Sequence, residues 1–183
     1  MGSRPNTRHL PLRPALAALT VESLFVGKKI ADESAARCCL AGLWLLHNFL
    51  DESHAVSQEI ETASGSYWHG LMHRREPDYE NAKYWFRRVG RHPIFEPLAL
   101  AARKLAGGSK GQPSTPVEFL LKQDSWNPDR FIDLCEALAQ KRPADPLLEL
   151  TARSIATLEW GLLFEYCSRA ALGGVNLKSP LPR

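Results

Sequence analysis

Long apolar runs are scarce in this 183-residue chain. The most apolar stretch, "CCLAGLWLLHNFL" from Cys38 to Leu50, is interrupted by His47. It also falls well short of the roughly 20 residues that a membrane-spanning helix needs. No segment joins a charged head, an apolar run and a small-residue cleavage site, as a secretory leader does. Asn6 stands where a myristoylation signal wants Ser or Thr. The expectation is a cytoplasmic protein with no membrane partner. Cysteine is sparse too: Cys38, Cys39, Cys135 and Cys167 form no CxxC pair. Each sits in an apolar helical stretch, which argues for buried free thiols in a reducing compartment and against a disulfide framework. Net charge is small, +3, and basic residues are interleaved with acids. Nothing resembles a basic strip with stacked aromatics, so a nucleic-acid partner is not expected.

Strand-like alternation and internal repeats are absent as well. What remains is helix, in a chain whose 44% apolar and 23% charged residues suit an ordinary globule. "ADESAARCCLAGLWLLHNFL" opens with acids and is then apolar nearly all round, the pattern of a central helix. "SGSYWHGLMHRRE" is stopped by Pro77, and "DYENAKYWFRRVG" runs from Asp78 as N-cap to Gly90 as terminator. "HPIFEPLALAARKLA", "TPVEFLLKQ", "NPDRFIDLCEALAQ" with Asn127 as N-cap and Pro128 at N1, and "DPLLELTARSIATLEWGLLFEYCSRAALGG" supply further helices, and "GGSKGQPSTP" reads as a flexible loop. The expected architecture is all-α, a single-domain bundle of about seven helices with a central antiparallel helix hairpin. Residues 1–14 are expected to form a loose arm, 15–174 the helical domain and 175–183 a frayed tail.

The chemistry concentrates in "SYWHGLMHRREPDYENAKYWFRRVGRHP", residues 66–93, with three of the six histidines. If the preceding helix runs on through Asp51, then His47, Asp51, His54 and Gln58 share one face. His69, His73 and Glu76 share a face of the next helix. A short connection around "ETASGS" would make the two an antiparallel hairpin. Residues whose numbers add to nearly the same total then lie level: His54 with His69, Asp51 with His73, His47 with Glu76. Imidazoles and carboxylates on facing helices are what zinc, manganese or iron require, and bundles build such sites. The candidate ligands are His47, Asp51, His54, His69 and His73. The same stripes also read as a buried hydrogen-bond network in which acids satisfy histidines. A helix break at "DES", with Asp51 as N-cap, would instead scatter the first stripe.

Arginines surround this segment. Arg74 and Arg75 precede Pro77, and Asn81, Tyr84 and Arg88 share a flank of the following helix. A guanidinium fork beside an amide and a phenol makes a clamp for an anionic small molecule. Pairing with Glu76, Asp78, Glu80 and Glu96 is the plainer alternative. Trp85 and Phe86 read as core. Glu159 and Asp133 interrupt apolar helices and are read as inward-reaching acids, partners for these arginines, or edges of a polar face.

"HGLMHRREPDYENAKYWFRRVGRHP", with "LHNFLDESHAVSQEI" before it, resembles a group of uncharacterised small helical proteins from bacteria and fungi. The resemblance covers about residues 40–100 and implies a shared module but no activity. An adjacent His-Asp pair, which an HD-type phosphohydrolase needs, is missing. The reading that follows is a pocket that binds a divalent metal and an anionic small molecule. As an enzyme it would be a metal-assisted hydrolase, with Glu76 or Asp51 as general base and Arg75 or Arg88 holding the substrate's charge. A non-enzymatic anion-binding module and a structural domain with a histidine core network stand beside it.

Overall fold

Helix signals in the sequence are local, and the computed structural model follows them closely. It describes residues 11–107, 115–140 and 145–174, all helix or connecting turn with no strand among them. Most of the expected arm, residues 1–10, and the expected tail, 175–183, lie outside the described residues, as do 108–114 of the predicted loop.

Ten helices occur among the described residues, more than the seven expected. Two short ones, α1 (Arg13–Ala17) and α2 (Val21–Leu24), precede the first long one, and α2 is held by a capping box between Thr20 and Ser23. Then come α3 (Glu33–Leu46), α4 (Leu50–Ser57), α5 (Ala63–Arg75) and α6 (Tyr79–Val89). The series closes with α7 (Phe95–Gly107), α8 (Thr115–Lys122), α9 (Pro128–Gln140) and the 26-residue α10 (Pro146–Ala171). Side-chain caps sit where sequence placed them. Asp78 Oδ1 accepts from the Asn81 amide at 3.2 Å, and Asn127 Oδ1 accepts from that of Arg130 at 3.0 Å. Gly90 ends α6 with φ +63°.

The main correction lies between α3 and α4. The expected helix does not run on through Asp51; it stops at Leu46, with His47 as C-cap. Asn48 takes a left-handed φ of +63°, which Asn tolerates better than most residues. The turn drops Phe49 into the interior, 5% exposed and edge-on to Trp44 at 5.5 Å. α4 then folds back onto α3, tied by Ser53 Oγ donating to the Ala41 carbonyl at 3.0 Å. Burial of one large ring and one seryl bond thus outweighs helix continuity.

The core sits between α3, α5, α7, α9 and α10, with Trp68, Tyr67, Phe131, Met72 and Leu98 fully buried. Two glycines let helices approach closely. A Cβ on Gly42 would lie 2.8 Å from the Trp68 ring, and one on Gly70 would lie 2.9 Å from Phe86. The second contact draws α6 down onto α5. Cys38, Cys39 and Cys167 are buried free thiols, and Cys135 is half-buried. No helix among the described residues is long and apolar enough to cross a membrane.

Candidate functional site

α5 carries two histidines one turn apart, His69 and His73, both buried. α4 brings a third, His54, half-buried, from the neighbouring helix. The His54 and His69 ring centroids are 4.5 Å apart, those of His54 and His73 are 5.4 Å apart, and His69 stacks on His73 at 4.8 Å. One ligand nitrogen from each lies within 4.8 Å of the others.

Electrostatics favour neutral rings at His69 and His73. Burial pulls the His69 pKa down to about 3, helped by the nearby His54 and His73. Burial also lowers that of His73, opposed by Asp78 and Glu76 and aided by His54. His73 is the better satisfied of the two. Asn81 Nδ2 lies 3.1 Å from its Nε2, and Glu76 Oε2 and Asp78 Oδ2 lie 3.5 and 3.8 Å from its Nδ1. His69 Nδ1, by contrast, is buried with no hydrogen-bond partner.

α6 closes the site from above. The Trp85 indole stacks flat on His69, with centroids 3.8 Å apart and planes 14° from parallel. Arg88 in turn lies over Trp85, its guanidinium carbon 5.2 Å from the ring centre. Trp85 is therefore half-buried over a histidine rather than a member of the core. Beyond it opens a cavity of about 530 Å³ lined by Gln58, Thr62, Ser66, Trp85 and Arg88, among others.

The other sequence candidates are placed elsewhere. Asp51 is exposed in the first turn of α4, and Glu76 is the exposed C-cap of α5. His47, at the end of α3, lies outside the three-histidine group. Tyr84 is exposed beside Arg87. Arg74 points away into the core, where its Nη2 donates to Glu159 Oε2 at 2.5 Å. Glu159, fully buried, also accepts from the Tyr67 hydroxyl at 2.8 Å. Burial pulls the Arg74 pKa down, but Glu159 more than restores it; burial, then Glu159, hold the Tyr67 pKa well above its ordinary value. Arg75 donates to the Leu45 carbonyl at 3.2 Å. Asp133 pairs with Lys83 at 2.8 Å on the surface.

Sequence reasoning missed Trp85 as a site residue, because its position in the α6 stripe is the same for a core ring and a covering ring. The signal available was its place three residues before Arg88, which lets the guanidinium lie on the indole.

No family model, curated protein or solved structure matches this chain. Its site must therefore be read from its own geometry.

Proposed function

We propose that the protein binds a divalent metal ion, zinc being the best fit, through His54, His69 and His73, and that an anionic small molecule enters the neighbouring cavity walled by Trp85 and Arg88. The carrying observation is the convergence of three imidazoles whose nitrogens lie within 4.8 Å of one another, with His69 Nδ1 buried and unpartnered. An orphaned buried nitrogen costs about 1–3 kcal/mol, which a bound cation would recover. Tetrahedral zinc, with bonds of about 2.0–2.1 Å, places its nitrogens about 3.3 Å apart. The nitrogens would have to draw together from within 4.8 Å of one another to that spacing, with His54 the least buried of the three rings.

The donor chemistry suits such an ion. Metal needs neutral imidazole, and burial disfavours the charged form of both His69 and His73. Glu76 and Asp78 near His73 Nδ1 are placed as the carboxylates that orient a ligand histidine, leaving Nε2 for the ion in place of the Asn81 amide. Three protein ligands leave a coordination position open, the arrangement of catalytic rather than structural zinc. When bound, a cation there supplies Lewis acidity and makes water a nucleophile near neutral pH. Under the hydrolase reading, one of Glu76 and Asp78 would orient His73 and the other would take the proton, while Asp51 lies exposed in the first turn of α4. Arg88 at the wall of the 530 Å³ cavity would hold the anion, with Trp85 as its plate. The supporting frame, α4 against α5, is read as an antiparallel hairpin.

A second reading has its own observation. The contacts of Asn81, Glu76 and Asp78 with His73 also describe a metal-free hydrogen-bond network in a structural or anion-binding domain. Elemental analysis of the purified protein separates the two, together with melts taken with and without chelator. Stoichiometric zinc, manganese or iron that is lost in His69→Ala supports the metal site. Metal-free protein whose melting temperature ignores both chelator and added zinc rejects it.

A further inference from the structure

α5 has a second functional face. Leu71, Arg74 and Arg75 project from the side of the helix opposite His69 and His73, and they line a cavity of about 440 Å³. Its other walls come from α3 (Leu45), α9 (Cys135) and α10 (Arg153, Ala156 and Trp160). The volume falls in the range of small-ligand sites, about 300–1,000 Å³.

The lining combines apolar side chains with three arginines. Leu45, Leu71, Ala156 and Trp160 give an aliphatic and aromatic interior, and Trp160 is fixed by donating to the Gly42 carbonyl at 2.9 Å. The charges are unequal. Arg74 is neutralised by Glu159, and Arg153 by Glu149 at 2.5 Å. Arg75 has only the Leu45 carbonyl as a polar partner among the described residues. Arg75 is exposed as a residue, and partial burial of its guanidinium, then the like charge of Arg74, lower its pKa. Arg74 Nη1, on a side chain only 8% exposed, is also without a hydrogen-bond partner. Three guanidiniums against two carboxylates leave a single positive charge, which matches one carboxylate better than a phosphate dianion.

We propose that this cavity between α3, α5, α9 and α10 binds an amphipathic monocarboxylate, its apolar chain or ring against Trp160, Leu45 and Ala156 and its carboxylate on the Arg75 guanidinium. The site is separate from the histidine cluster and does not depend on metal there.

The test uses the full-length protein and decanoate, with 1-decanol as the uncharged control, followed by calorimetry and tryptophan fluorescence. Decanoate is expected to bind more tightly than decanol. Arg75→Gln should weaken decanoate about ten- to a hundredfold while leaving decanol nearly unchanged, the scale of one lost charged hydrogen-bonding partner. Ala156→Phe, which fills the cavity, should abolish binding of both. Chelator should alter none of these results, so loss of the metal reading leaves this one standing. Thermal melts confirm that each variant folds, and either substitution alone decides the matter if the other does not fold. Equal affinity for decanoate and decanol, decanoate binding indifferent to the substitutions, or no binding up to the solubility limit would overturn the proposal.

Discussion

Trp85 lies flat on His69, ring centroids 3.8 Å apart, so one tryptophan reports directly on the proposed metal site. Among the described residues it is the tryptophan whose ring contacts a cluster histidine. Cobalt(II), which takes the same ligands as zinc and quenches nearby indoles, should dim the part of the emission that Trp85 supplies. In Trp85→Phe that quenching should vanish while cobalt stoichiometry is retained. Unchanged quenching in the variant would place the ion elsewhere.

The buried pair Arg74–Glu159 gives a prediction that is independent of metal. With Glu159 fully buried, Arg74→Met leaves a carboxylate without its counter-ion. The expected loss is about 3–5 kcal/mol in urea unfolding. Adding Glu159→Leu should recover part of it, because apolar replacement of a whole buried pair is often neutral but the Tyr67 hydroxyl then loses its acceptor, at about 1–3 kcal/mol. A double variant no more stable than Arg74→Met would mean that the pair is not the source of the loss.

How much of this was legible beforehand follows from the range of each interaction. Caps such as Asp78 and Asn127 act within one turn, and their positions agree between sequence and structure. The break at Asn48 depends on Phe49 finding a buried slot against Trp44, a tertiary event that the apolar run "LWLLHNFL" hides. An Asn just past a helix end was the available sign. The break explains the partial fate of the level pairs. His54 remains on α4 and meets His69, whereas Asp51 moves to an exposed first turn and His47 to a helix cap. Periodicity likewise could not foresee that Arg74 and Arg75 would line a cavity shared with α10, because helix order in space is not written in any one helix.

His92, outside the three-histidine group, carries a pH dependence that is independent of metal. It is buried, its Nδ1 accepts from the Ile94 amide at 3.4 Å, and its Nε2 lies 3.1 Å from Ser64 Oγ. Burial lowers its pKa to about 4 in the folded chain, against about 6.5 unfolded. The unfolded chain therefore binds the proton first. Stability is full above pH 6.5 and drains as pH falls toward 4, by about 3 kcal/mol from this residue. His92→Phe should flatten that part of the profile. Unfolding curves for the two proteins that stay parallel between pH 7 and 4 would count against it.

Two glycine substitutions should move stability in opposite directions. A methyl on Gly161 in α10 meets nothing within 4 Å, so Gly161→Ala removes unfolded-state freedom at no steric cost. The expected gain is about 0.5–1 kcal/mol. A methyl on Gly70 meets the Phe86 ring at 2.9 and 3.0 Å, and that ring is 3% exposed in the α5–α6 contact. Gly70→Ala must push α6 outward, costing about 1–3 kcal/mol. Because α6 also carries Trp85, the same shift should lift the indole off His69. Gly70→Ala should then show both a lower melting temperature and altered tryptophan emission, whereas Gly161→Ala should change only the former, upward. A Gly70→Ala protein with wild-type stability and emission would show that α6 does not need this close approach to cover the histidines.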